Sequence, residues 1–179
     1  MSKTPTEISD YVRAAVDFVQ RAVGMVLDGS DESLAVLDHY VAQVPYDKPE
    51  VVALVAPAVG AYFGEVLRRR FGGRWRLEGD PVKWRLELQD GAVTVAPIAL
   101  AFTAIISEDA ESLDTEMHVA SPEERQTVGE ALERTAPVSA EYFYSLTGRF
   151  ETIEHTLDLI AAIRAQKQAE QERARERPN

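Results

Sequence analysis

A chain of 179 residues is long enough to bury one self-supporting core, and the absence of cysteine excludes a disulfide framework, a thiolate metal site and a cysteine nucleophile. Nineteen basic against 30 acidic residues give a net charge of −11, a field that repels nucleic acid and anionic membranes and suits a basic protein partner. The first residues lack the basic start and apolar run of a signal peptide, and the longest apolar stretch, 51–67, carries Glu65 and runs into three arginines. A soluble, cytoplasmic protein is expected, with no cofactor.

Thr4-Pro5-Thr6-Glu7 reads as a capping box with proline at the first helical position. Ile8, Val12, Ala15, Val16, Val19, Val23 and Val26 then recur on one helical face. Asp28-Gly29-Ser30 stops this helix. A second starts near Ser30 or Asp31, buries Leu34, Leu37, Val41 and Val44, and ends at Pro45. Asp47-Lys48-Pro49-Glu50 opens a third, with a kink or break expected at Pro57. Its middle is unusually small: Gly60 and Gly64, four apart, would let another backbone approach closely. Gly72-Gly73 terminates it.

The period then changes to two. Arg74-Trp75-Arg76-Leu77-Glu78 and the stretch from Val82 to Gln89 alternate polar and apolar residues. Asp90-Gly91 reads as a two-residue hairpin turn leading into Val93-Thr94-Val95. The expectation is a three-stranded antiparallel meander with Trp75, Leu77, Val82, Trp84, Leu86, Leu88, Val93 and Val95 facing helices. Opposite charges stand ready to pair across its other face. Pro97 starts a short apolar helix to Ile106, and an acidic loop follows, with room for a short strand at Glu116-Met117-His118-Val119.

Ser121-Pro122-Glu123-Glu124 combines cap, proline and returning glutamate at the start of a helix to about Arg134. Ser139 caps the last helix, which carries Tyr142, Phe143, Leu146, Phe150, Ile153, Leu157 and Ile160, with a bend at Gly148. Residues 165–179 are polar and have no apolar stripe, so they form a polar helical or frayed tail on a single domain spanning 1–164. Runs of helices around a compact meander imply a mostly helical α+β fold.

The run Gly60-Ala61-Tyr62-Phe63-Gly64-Glu65 followed by Gly72-Gly73-Arg74-Trp75 resembles a pattern in uncharacterised bacterial proteins: a G-x-Y-x-G-E helix, a glycine turn and a tryptophan-bearing strand. The resemblance covers roughly residues 50–105. It implies a bacterial domain of unknown function and the helix-then-meander order, and it brings no catalytic residues with it.

Signatures for nucleotide loops, serine nucleophile elbows and zinc helices are absent. Glu151, His155 and Asp158 share a helix face but supply too few ligands for a metal site. Arg68-Arg69-Arg70 lies at a helix C-terminus, the wrong end for phosphate. Glu65, on an apolar helix, is a candidate general base or is paired with an arginine three or four residues on. Between residues 108 and 141 there are ten acids and two basic residues. On the helix there, Glu123, Glu130 and Glu133 should face solvent while Val128, Ala131 and Leu132 turn inward. These features favour a non-enzymatic, adaptor- or immunity-like protein binding a basic protein through Glu123, Glu130 and Glu133. The alternatives are a small enzyme with a site near Glu65, and a homodimer or larger assembly built on the final helix.

Overall fold

The computed structural model describes residues 3–175. It is α+β, as expected, with a sheet inserted into a helical array. Three helices come first: α1 (Thr6–Val23), α2 (Ser33–Val41) and α3 (Pro49–Phe71). Then come β1 (Gly73–Arg76), β2 (Arg85–Leu88), β3 (Val93–Val95), α4 (Pro97–Ile106) and β4 (His118–Val119). Helices α5 (Pro122–Glu133), α6 (Ala140–Tyr144) and α7 (Leu146–Arg175) close the order.

The sheet has four antiparallel strands in sequence order rather than three. The fourth is the acidic loop's end, where His118 and Val119 pair with Thr94 and Val93. Pairing of Arg74 opposite Glu87 lets Glu87 bind both Arg74 and Arg76 at 3.0 Å, the cross-strand charge pairing expected from the alternation. Two expectations are corrected. Strand β1 stops at Arg76 and residues Pro81–Lys83 form a 3-10 turn instead of strand, so Leu77 and Val82 are only half-buried and Trp84 enters β2 from a turn. The β2–β3 connection spans four residues, 89–92, instead of a two-residue hairpin, with Gln89 (φ 46°), Asp90 (φ 56°) and Gly91 (φ 88°) all left-handed.

Helix α3 is the centre. It alone among the described residues is long and apolar enough to cross a membrane, yet most of it is buried against the other elements. It runs through Pro57 as one helix, so no break occurs there; the residue whose carbonyl loses its hydrogen bond, Ala53, is exposed and open to water. Its small residues do what their spacing suggested. A Cβ on Gly60 would lie 2.4 Å from the Ile98 Cα of α4, and one on Gly64 would lie 2.3 Å from the Trp75 ring. The first contact is backbone against side-chain space, so neither helix can yield without moving the other.

The carboxy-terminal helices also depart from expectation. The last helix is two helices, broken at Ser145 rather than bent at Gly148. Gly148 is needed where the end of α6 abuts α7, since a Cβ there would lie 2.2 Å from the Tyr142 carbonyl oxygen. Tyr142 and Phe143 are therefore off the buried stripe and largely exposed. Asp38 of α2 caps α7, its carboxylate accepting from the Leu146 and Thr147 amides at 2.7 and 3.0 Å and from the Thr147 hydroxyl at 2.6 Å. Beyond Ile163 the helix continues to Arg175 without burying a side chain.

The glycines give a paired stability test. Gly60→Ala should destabilise by about 3 kcal/mol or more, because overpacking here strikes backbone. Gly129→Ala, in α5 with nothing within 4 Å of the added methyl, should stabilise by roughly 0.5–1 kcal/mol. Urea denaturation of the two variants measures both signs.

Candidate functional site

Glu65 is the most deeply buried carboxylate among the described residues, 4% exposed. A charge so placed must be paired and hydrogen-bonded. Both oxygens are filled. Oε1 accepts from Arg68 Nε and Trp75 Nε1, each at 2.8 Å; Oε2 accepts from Arg68 Nη2 and the Thr4 hydroxyl, each at 2.9 Å. The Thr4 hydroxyl in turn accepts from Arg68 Nη2 at 2.9 Å. The fork of Arg68 thus grips the carboxylate side-on, one helical turn along α3, as the spacing allowed.

This arrangement explains a local miss. Thr4 does not cap α1, whose N-cap position is Pro5 without a side-chain bond. Its hydroxyl is committed to Glu65, 61 residues away. Burial alone would raise the Glu65 carboxyl; the bonds from Arg68, Trp75 and Thr4, with the Arg68 charge, outweigh it and hold the group below its ordinary 4.5. A base needs the opposite: a raised value and a free lone pair toward substrate. The residues of the G-x-Y-x-G-E and Gly-Gly-x-Trp patterns meet at this node in packing roles. Gly60 admits α4 and Gly64 admits Trp75. The Tyr62 hydroxyl accepts from the Gly29 amide and shares a 2.7 Å bond with buried Ser33.

The three acids of α5 are exposed as expected, with Val128 buried and Ala131 and Leu132 half-buried on the opposite face. Ser121 caps the helix by accepting from the Glu124 amide. The returning glutamate does not close a box: Glu124 is buried and takes Arg164 of α7 in a two-pronged pair at 2.7 and 3.0 Å. That pair fixes α5 on α7. Glu123 meets Lys167 at 2.7 Å, and Glu130 accepts from Gln126 at 3.0 Å. The side chains of Glu65 and of the α5 acids belong to separate regions and form no common site.

The remaining candidates disperse. Arg68, Arg69 and Arg70 point to different neighbours: Arg68 to Glu65, Arg70 to Glu154 at 3.0 Å, and Arg69 to the Gly29 turn. Among the described residues no group of three His, Asp or Glu side chains converges on a metal-sized point. A cleft of about 510 Å³ opens where the end of α3 meets the 89–92 loop, between Phe71, Arg74 and Asp90. Its basic walls are already paired, Arg68 with Glu65 and Arg74 with Glu87. The left-handed run in that loop tucks it under α3, where the Gln89 amide donates to the Gly72 carbonyl at 3.2 Å. No family model, curated protein or solved structure matches the chain.

Removing one partner of a buried pair leaves the other uncompensated, so Glu65→Gln should cost about 3–5 kcal/mol at neutral pH. The folded carboxyl titrates below its unfolded value. Its stabilisation is therefore full above about pH 4.5 and is lost as pH falls through the lower folded value. Wild type should lose stability in that acid window faster than Glu65→Gln, and urea titrations at stepped pH read the difference.

Proposed function

We propose that this chain is a non-catalytic interaction protein that recognises a basic protein through the acidic face of α5. The observation that carries the reading is a helix braced by a part-buried ion pair, buried Glu124 with exposed Arg164, while Glu123, Glu130 and Glu133 stay outside, Glu123 beside Lys167. Side chains on a braced helix present charge in a fixed pattern, which favours oriented encounter over diffuse attraction. The acidic loop 107–117 adjoins it in the chain and adds to the same sign of field, apart from Asp114, which is paired with Arg85 and His118.

The two competing readings have less support. A reaction centred on Glu65 would need that carboxylate released from four donors. Assembly through the end of α7 would need an apolar seam, and its exposed stretch instead satisfies itself with Gln166–Glu170 and Gln168–Glu172 bonds.

The test compares captured partners of three proteins by quantitative mass spectrometry: wild type, a triple reversal Glu123→Lys, Glu130→Lys and Glu133→Lys, and a control reversal of exposed Glu7, Asp17 and Glu50. A basic partner should bind wild type and the control, be lost from the α5 reversal, and associate more slowly as salt shortens the screening length to about 8 Å. All three proteins should fold alike, since exposed charges contribute little to stability. Equal loss on both reversals, or salt-independent association, would leave the acidity as a solubility property.

A further inference from the structure

A second cleft, of about 260 Å³, lies between the 107–117 loop, α6 and the first turns of α7. Its floor is apolar and fully packed from behind: Val95 of β3, Leu100 of α4 and Ile153 of α7 are all buried. Met117 and Phe143 form its sides. Among the described residues one cation enters it, Arg149.

Arg149 is the unusual group. Its Nε is buried and without a hydrogen-bond partner. No described residue forms a side-chain hydrogen bond or an ion pair with its guanidinium, although that group carries five donors. The aromatic rings of α6 hold it in place instead: it lies 4.2 Å from the Phe143 ring centre and 5.7 Å from that of Tyr144. Asp109 at the rim lies within electrostatic range but does not pair with it. The buried arginine of α3, Arg68, is by contrast gripped by a carboxylate, Glu65. A buried donor left unfilled carries a desolvation cost that a native structure rarely leaves uncompensated.

We propose that this cleft binds a small monocarboxylate with an apolar body, its carboxylate held by Arg149 and its body lying on Val95, Leu100, Met117 and Ile153. The planar fork of a guanidinium matches a carboxylate's two oxygens. The charge count disfavours a dianion such as phosphate: among the described residues one cation faces the cleft, and Asp109 and Glu116 at its rim repel added negative charge, so only a ligand whose single charge sits directly on Arg149 and whose body is apolar suits it. The volume lies below the range of about 300–1,000 Å³ typical of drug-sized ligands, so the molecule is smaller than those. Burial lowers the Arg149 pKa, with Asp109 and Tyr144 opposing, and an incoming anion replaces the solvation that burial removed. The site is separate from the α5 face and stands or falls independently of it.

The test is an NMR titration of the full chain with hexanoate and with phenylacetate, against hexanol, hexylamine and inorganic phosphate. Both carboxylates should saturably shift the Arg149 Nε–H signal and the Met117 methyl, and the three controls should not. Arg149→Met should weaken carboxylate binding by about tenfold or more, as loss of a charged hydrogen-bonding partner does, and Arg149→Lys should not restore it. Without ligand, Arg149→Met should melt no lower than wild type, since it removes a half-buried charge whose Nε has no hydrogen-bond partner. Absence of saturable shifts, equal binding of hexanol or phosphate, or a carboxylate affinity unchanged in Arg149→Met would each overturn the proposal. A markedly lower melting temperature for Arg149→Met would do the same, because it would give the guanidinium a structural duty already met within the fold.

Discussion

A carboxylate taken out of water must be given back its hydrogen bonds, and in this protein the answer to that demand at Glu65 organises the fold. Its four donors come from three places: the segment entering α1, the next turn of α3, and β1. Each depends on the others. Trp75 reaches Glu65 only because Gly64 leaves room for its ring, and Thr4 reaches it only by giving up the cap of α1. One turn earlier Gly60 seats the α4 backbone, so the small residues of α3 and the acid beside them set how close its neighbours come. The glutamate thus sits on an apolar helix with both oxygens committed to donors, and its burial fastens three elements together.

Much of this was legible in the sequence where the signal is local and periodic. The apolar stripe of α2, that of α1 as far as Val23 though not exposed Val26, that of α7 from Leu146 onward, the alternation of β2, the close-approach spacing of Gly60 and Gly64 and the availability of opposite charges across the strands all follow from periods of 3.6 and 2. Where reading failed, a side chain had a choice of partners and took a distant one. Thr4 and Glu124 both sit in correct capping patterns, and both spend their oxygens elsewhere, on residues 61 and 40 positions away. Asp38 caps a helix 108 residues downstream, a partnership no local pattern encodes. The fourth strand escaped firm prediction because two residues are too few for alternation to show. The exposure of Glu123, Glu130 and Glu133 was readable from helical phase. The unpartnered Arg149 was not, since the sequence around it reads as one helix bent at Gly148, and only the break at Ser145 sets Phe143 against it.

The distribution of charge follows one rule with one departure. Acids that turn inward are matched by arginines: Glu65 by Arg68, Glu124 by Arg164. Acids on the surface of α5 and of the preceding loop, some of them in exposed pairs such as Asp114 with Arg85 and Glu123 with Lys167, supply a field and little stability. Arg149 is the departure, a cation drawn inward and left with aromatic faces for company. A fold that satisfies its buried charges so consistently gives weight to the one it does not satisfy.

The claim that Glu65 acts through its partners as a structural clasp is tested most directly by a double-mutant cycle on stability, combining Glu65→Gln with Trp75→Phe. The second change removes the indole donor while keeping an aromatic ring. Because Nε1 donates to the carboxylate at 2.8 Å, the two substitutions should be strongly non-additive, with a coupling energy of roughly 1–3 kcal/mol. Additivity within about 0.5 kcal/mol would mean that the indole and the carboxylate act independently, and would contradict the account.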